Sequence, residues 1–284
     1  MTADVLVVGD IAWDTVVRVS AWPERDRDLP SAIGEGAGGQ GFNVALWAAR
    51  AGARSALVTQ IGTDARSREL ARIAKASGVA LWAPTRADPL TRVVSIVDPA
   101  GLRGLLTHPG PGPLALPRSG WAAGALALSG YLLGRPGGAE RVEAWLAWAE
   151  RRGLPTALDL AHPDVAPAWA PFGGRVTWMF GNEAEWAAYQ VAGAGAPRGR
   201  VVKRGADGAE LDAPEGRCAV PPPGPGPGAR DSTGAGDCLM GTFLGRLCLG
   251  DAADEALRAA VGAASAVLGL AGATGLAAPP GGRG

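Results

Sequence analysis

The chain begins with a short, unbroken apolar run, Asp4-Val5-Leu6-Val7-Val8-Gly9. Such a run closed by Gly predicts a strand buried on both faces of a parallel sheet. From Ser55 onward, apolar runs at 55–61, 125–129, 155–160, 176–180 and 200–203 predict strands, and stretches at 64–77, 139–152, 183–190 and 252–270 predict helices. A further helix is predicted over 42–52. This alternation gives an α/β fold with a mostly parallel central sheet flanked by helices. Within 139–152, Val142, Trp145, Leu146 and Ala149 share one helical face, so Trp145 and Trp148 are packing residues rather than a stacking platform. Segments 15–19 and 91–98 alternate instead, and predict exposed strands outside this rhythm.

Composition narrows the classes. With 284 residues, 47% of them hydrophobic and 19% charged, the chain can bury a sizeable core, and we read 1–284 as one domain. Its 27 basic and 27 acidic residues cancel, which argues against a nucleic-acid or anionic-membrane partner. The basic charge is nearly all Arg and there are 44 Gly, a pattern of GC-rich coding to which no function attaches. Cys218, Cys238 and Cys248 lack any C-x-x-C spacing and fit a reducing cytoplasm. The start Met1-Thr2-Ala3-Asp4 lacks a basic leader, and no apolar run reaches the roughly 18 residues of a membrane span, so a soluble, cytoplasmic protein is expected. Pro221 to Gly228 predicts an extended loop, and the end, 276–284, a disordered tail.

Chemistry concentrates at Asp231-Ser232-Thr233-Gly234-Ala235-Gly236-Asp237, where small residues run into an apolar helix. Free N–H groups of Gly234, Ala235 and Gly236, backed by the helix dipole, form an anion hole. Asp237 stands where a plain anion site avoids negative charge. A carboxylate there can take the proton of an attacking hydroxyl while the hole holds a transferring phosphoryl group. The competing reading is an ordinary capped helix behind a glycine turn.

A second landmark, Gly34 to Ala45, contains a formal G-x-G-x-x-G at Gly36, Gly38 and Gly41. It fails as a dinucleotide fingerprint because 29–33 makes a poor buried strand before it. Taken alone it is a glycine turn before a helix. Asn182 and Glu185, three apart at a helix start, face the same way, either as a capping pair or around a cation with its water shell. Lys203 and Arg204 precede a turn at Gly205 to Gly208, either near phosphates or simply solvated. Asp159, at a strand end, either touches substrate or caps the next segment. No G-x-x-x-x-G-K-[ST] occurs, which excludes a P-loop kinase.

Two of these stretches carry a resemblance. Asp231 to Asp237 matches the D-T/S-x-G-A-G-D signature of the ribokinase-like (PfkB) carbohydrate kinases, and Gly38-Gly39-x-Gly41-x-Asn43 resembles their N-terminal signature. The resemblance spans roughly 4 to 274; Thr242 departs from the family's usual Gly or Ala. It implies a ribokinase-like fold with a small β lid, here 13–35 and 90–108, often also a dimer contact. It implies an ATP-dependent kinase acting on a sugar hydroxyl, with Asp237 as base and Gly234, Ala235 and Gly236 as anion hole. Asp14, Gly38, Gly39 and Asn43 would hold the sugar. Lys203, Gly205, Gly208 and Thr233 would hold the nucleotide. Asn182 and Glu185 would organise Mg²⁺, and Asp231 would cap the helix or help hold a monovalent cation such as K⁺. Alternatives are a nucleoside kinase, with Trp13 or 91–108 walling a base, and a non-catalytic sugar or nucleotide sensor; a dehydrogenase is the weakest.

Overall fold

The computed structural model describes residues 1–84, 90–110, 115–193, 195–224 and 233–268. Its main sheet runs in the order β13-β12-β11-β10-β9-β8-β1-β4-β5. At its centre, β1 (Thr2–Val8) lies parallel to β4 (Ser55–Val58) on one side and to β8 (Ala122–Leu128) on the other. The parallel set is completed by β5 (Val79–Trp82), β9 (Thr156–Asp159), β10 (Trp178–Asn182) and β11 (Gly199–Lys203). An antiparallel hairpin, β12 (Ala209–Ala213) and β13 (Gly216–Val220), finishes one edge.

Because side chains alternate across a strand, β1 feeds two cores. Val5 and Val7 pack with Phe42 and Leu46 of α1 (Gln40–Arg50) and with Phe243 of α5 (Ala235–Cys248). Leu6 and Val8 pack on the other side with Trp145 and Leu146 of α3 (Gly138–Glu150). Trp145 is fully buried and Trp148 nearly so, as packing residues should be. The remaining helices are α2 (Ala65–Ala76), capped by Asp64 accepting from Ser67 N at 2.9 Å, α4 (Glu183–Val191) and α6 (Ala253–Val267). No helix among the described residues is long and apolar enough to cross a membrane.

A second, four-stranded sheet stands apart in the order β3-β2-β6-β7. It contains β2 (Ala12–Arg18), β3 (Ala32–Gly38), β6 (Thr91–Val97) and β7 (Arg103–His108), with β2 parallel to β6. Two sequence expectations change here. The glycine stretch is not a turn up to the helix: Gly34 to Gly38 complete β3, paired antiparallel to β2, because cross-strand bonding to β2 overrides glycine's weak strand preference. The lid therefore reaches Gly38, beyond the expected 35. Strands β5, β7, β12 and β13 were not legible as runs, being short, exposed or interrupted by polar residues. The loop expected at 221–228 begins where Pro221 ends β13, but 225–232 lie outside the described residues, as does the tail 276–284.

Candidate active site

The carboxyl ends of the parallel strands, the lid and the start of α5 enclose a cavity of about 810 Å³. Crevices beyond the carboxyl ends of strands are where open α/β sheets take ligands. Asp10 follows β1 directly, and its backbone carbonyl accepts from Phe42 N at 3.0 Å, fixing the start of α1 at the strand end. Asn43, on the first turn of α1 and 4% exposed, donates from Nδ2 to Asp237 Oδ2 at 2.7 Å. Asp14 lies on β2 facing the same cavity. Gly38 ends β3 against it: a Cβ at Gly38 would fall 1.9 Å from Asp14 Oδ2, so only glycine admits the carboxylate there. Gly39 caps α1. Asp10 Oδ1, Asp14 Oδ1 and Asn43 Oδ1 are buried without a hydrogen-bond partner, an arrangement that leaves acceptors for a hydroxylated molecule.

At the other landmark, Gly234 is the N-cap of α5 with φ 76°, a left-handed conformation that a side chain resists. That bend starts α5 at the cavity, whose lining includes Thr233, Gly234, Ala235 and Gly236. Asp237, in the first turn, is partly buried. Burial pushes its pKa up to about 7; the hydrogen bond from Asn43 and the charge of Lys203 pull down, while Asp159 and Asp10 push up. The helix N-terminus alone predicts a carboxylate ionised well below neutrality, and here desolvation outweighs it. Asp14 is likewise raised to about 7, by burial first and then by Asp10 and Asp237. Tyr131, just beyond β8, borders the same acids, and burial with their charge raises its phenol to about 12.

Lys203 is enclosed, and the partly exposed Arg204 is paired as well. Lys203 Nζ lies 2.8 Å from Asp159 Oδ2 and 3.2 Å from Glu185 Oε2. Arg204 pairs with Glu183 and Glu210. Gly205 and Gly208 flank a short 3-10 turn, Gly205–Asp207, and line the cavity with Val261, Ser265 and Leu268 of the α6 region. Asp159 is 1% exposed and caps the next segment, accepting from Ala161 N at 2.8 Å.

Asn182 and Glu185 form a reciprocal capping box at α4. Glu185 Oε2 accepts from Asn182 N at 2.8 Å and Oε1 from Asn182 Nδ2 at 2.9 Å. No group of three His, Cys, Asp or Glu among the described residues is arranged to hold a metal ion. Asp231 lies outside the described residues.

Two residues at the cavity, Arg103 and Gln40, were not singled out as site candidates in the sequence. Arg103, at the start of β7, donates from Nη1 to Thr233 Oγ1 at 2.7 Å, tying the second sheet to the residue just before the start of α5. Gln40 Oε1 accepts from Ser129 Oγ at 2.7 Å and from Gly130 N at 2.8 Å, joining α1 to the end of β8. Asp10, at the end of the first apolar run, reads either as a turn residue or as an acid facing a substrate, and the cavity lining includes it. A lone Arg in an exposed strand carries no signal; Asp10, four residues before Asp14, carried a weak one. Trp13 packs against the α1-side core with Arg66 over its ring, so it does not wall the cavity; Val93 and Leu105 of the lid do.

The description pfkB family carbohydrate kinase matches residues 2–279. No curated protein matches the chain. Among solved structures it is similar to the adenosine kinase from Sinorhizobium meliloti, with TM-score 0.82 at 21% identity over 95% of each chain. It is similar to the ribokinase from Cryptococcus neoformans var. grubii serotype A in complex with ADP, with TM-score 0.78 at 19% identity over 96% of each chain. The microbiome-derived acarbose kinase Mak1 is 25% identical with TM-score 0.77, over 95% of this chain and 93% of that one. Structural likeness at this identity shows a shared ribokinase-like fold; the match over nearly the whole length shows more, and this chain belongs to the pfkB family of carbohydrate kinases.

Proposed function

We propose that this sugar or nucleoside kinase transfers the γ-phosphoryl group of ATP to a hydroxyl, most simply a primary alcohol, of a small sugar or sugar derivative. The observation that carries this reading is the 2.7 Å bond between Asn43 Nδ2 and Asp237 Oδ2. It sets a residue with a second, unpartnered oxygen for the acceptor directly beside the base. Asp14 and Asn43 hold the acceptor hydroxyls, with Gly38 and Gly39 letting the backbone approach. Asp237 takes the proton of the attacking hydroxyl, and the N–H groups of Gly234, Ala235 and Gly236 hold the charge on the transferring group. A single donor of this kind contributes about 3 kcal/mol to a transition state. Arg103, above Thr233, adds a cation as the lid covers the site.

The nucleotide lies along Gly205, Gly208 and Thr233, with Val261 and Leu268 as an apolar wall for its base, and it enters with Mg²⁺ on its phosphates. Because both oxygens of Glu185 already accept hydrogen bonds, Asn182 and Glu185 meet that ion through its water shell rather than as direct ligands. Lys203 stands at the phosphate end of this surface, its ammonium occupied by carboxylates. A monovalent cation such as K⁺ beside Asp231 belongs to the same reading.

A nucleoside acceptor is the second reading, favoured by Val16, Val93 and Leu105 on the inner lid face and by Tyr131 beside the acids, a surface that suits a flat base. The test is ADP release from ATP and Mg²⁺ across ribose, fructose, 2-keto-3-deoxygluconate and purine and pyrimidine nucleosides, with Asp237→Asn as blank. Acceptor-dependent release lost in the blank supports the kinase reading and names the class. ATP binding without transfer to any acceptor points to a sensor.

A further inference from the structure

Lys203 ends β11 with its ammonium among buried acids. Its Nζ donates to Asp159 Oδ1 at 3.0 Å and Oδ2 at 2.8 Å, and lies 3.2 Å from Glu185 Oε2. An ammonium has three N–H groups, and these three contacts take them. The Lys203 side chain is 17% exposed, against 2% and 6% for those of Asp159 and Glu185. Burial disfavours its charge, but the two carboxylates outweigh this and hold it protonated. A Cβ on Gly236 would lie 3.3 Å from Nζ, so the ammonium rests against the first turn of α5, one residue before Asp237.

The groups that bear on Asp237 come from several elements. Asp10 follows β1, Asp14 is on β2, Asn43 on α1, Tyr131 follows β8, Asp159 ends β9, and Lys203 ends β11. Glu185 of α4 acts through Lys203, and Arg103 of the lid is bonded to Thr233. In this largely acidic ring Lys203 is the cation packed onto the helix turn that carries Asp237. Resting on the reading of Asp237 as base, we infer that Lys203 is its positioning residue: clamped by Asp159 and Glu185, it seats the first turn of α5 and holds its charge beside the turn that carries Asp237. It acts through Asp237 and not on phosphate, since its donors are spent on the carboxylates.

The test tracks the ionisation of Asp237 by carbon-13 NMR of aspartate-labelled full-length protein, with the resonance assigned by its loss in Asp237→Asn. Lys203→Met should move the Asp237 midpoint upward by about one pH unit, the usual size for losing a near opposite charge. Asp159→Asn should move it downward, and the double variant should return it close to wild type because both charges go together. If Lys203→Met fails to fold, Lys203→Arg with the midpoint preserved and Asp159→Asn with it lowered carry the test. An unmoved midpoint in Lys203→Met, or a double variant as displaced as Lys203→Met, overturns the inference. So does calorimetry with ATP and Mg²⁺ showing affinity lost about tenfold or more with the midpoint unmoved, which makes Lys203 a phosphate ligand. Retained turnover in Asp237→Asn would instead sink the base assignment while leaving the NMR result standing.

Discussion

Asn43 Nδ2 donates to Asp237 Oδ2 at 2.7 Å, although 194 residues separate the two in the chain. The bond joins the first turn of α1 to the first turn of α5, two helices that pack against each other through the close approach of Gly241 to Val44 O. The proposed acceptor-binding and proton-accepting groups are thus one hydrogen-bonded unit. Asp237→Asn keeps the shape and removes the base, so turnover should fall about a hundredfold or more while ATP affinity stays near wild type. Steady-state kinetics with calorimetry checks both; near-normal turnover would overturn the role.

Asn43→Ala removes the proposed acceptor ligand and its hydrogen bond to Asp237. The acceptor KM should rise and kcat should fall with it, whereas a residue that only binds sugar would change KM alone. An unchanged acceptor KM would count against Asn43 at the substrate.

The raised pKa values of Asp14 and Asp237, both about 7, have opposite consequences for activity and stability. With Asp237 as the proposed base, turnover should rise with pH through about 7. The native state keeps these two protons from the unfolded pKa of 3.8 up to about 7, where the unfolded chain has released them. The native state then binds more protons than the unfolded one, so their contribution to stability declines as pH rises across that window. Asp14→Asn should flatten this decline and raise Tm at pH 8 by a few degrees. Thermal melts from pH 4 to 8 check it; a Tm equal to wild type at pH 8 would contradict the burial argument.

Arg103 reaches Thr233 from the lid. Arg103→Ala should lower kcat about ten- to a hundredfold, the range for losing one charged stabiliser, with acceptor KM nearly unchanged. Arg103→Lys should recover little, because a point charge cannot reproduce the fork. Full activity in Arg103→Ala would confine the contact to lid packing.

Strand alternation places Val17, Ile33, Val94 and Leu106 on the lid face opposite Asp14, with Val17 paired to Ile33 and Val94 to Leu106. Ile33 is 59% and Leu106 64% exposed. An apolar face of this kind marks an interaction surface, and we expect it to join two lids in a homodimer. Ile33→Arg with Leu106→Arg should give a monomer by sedimentation; a wild-type monomer at micromolar concentration would refute the dimer.

The hydrophobic pattern determined the parallel core strands and every long helix. Runs such as Val5 to Val8 are buried on both faces, and α3 must turn Val142, Trp145 and Leu146 to one side, so local periodicity and burial agree. The two motifs were also legible, since a left-handed Gly234 and the close fit of Gly38 on Asp14 require glycine at fixed places. Tertiary structure decided the rest. Whether Gly34 to Gly38 is a turn or a strand depends on β2 as a partner, and whether Lys203 meets water or acids depends on the end of β9, two strands away across β10, and the start of α4 converging on the end of β11. Asp237's charge state obeyed the same rule: its helix position was readable in sequence, but desolvation and the field of Asp159, Lys203 and Asp10 arise only when distant segments close around it.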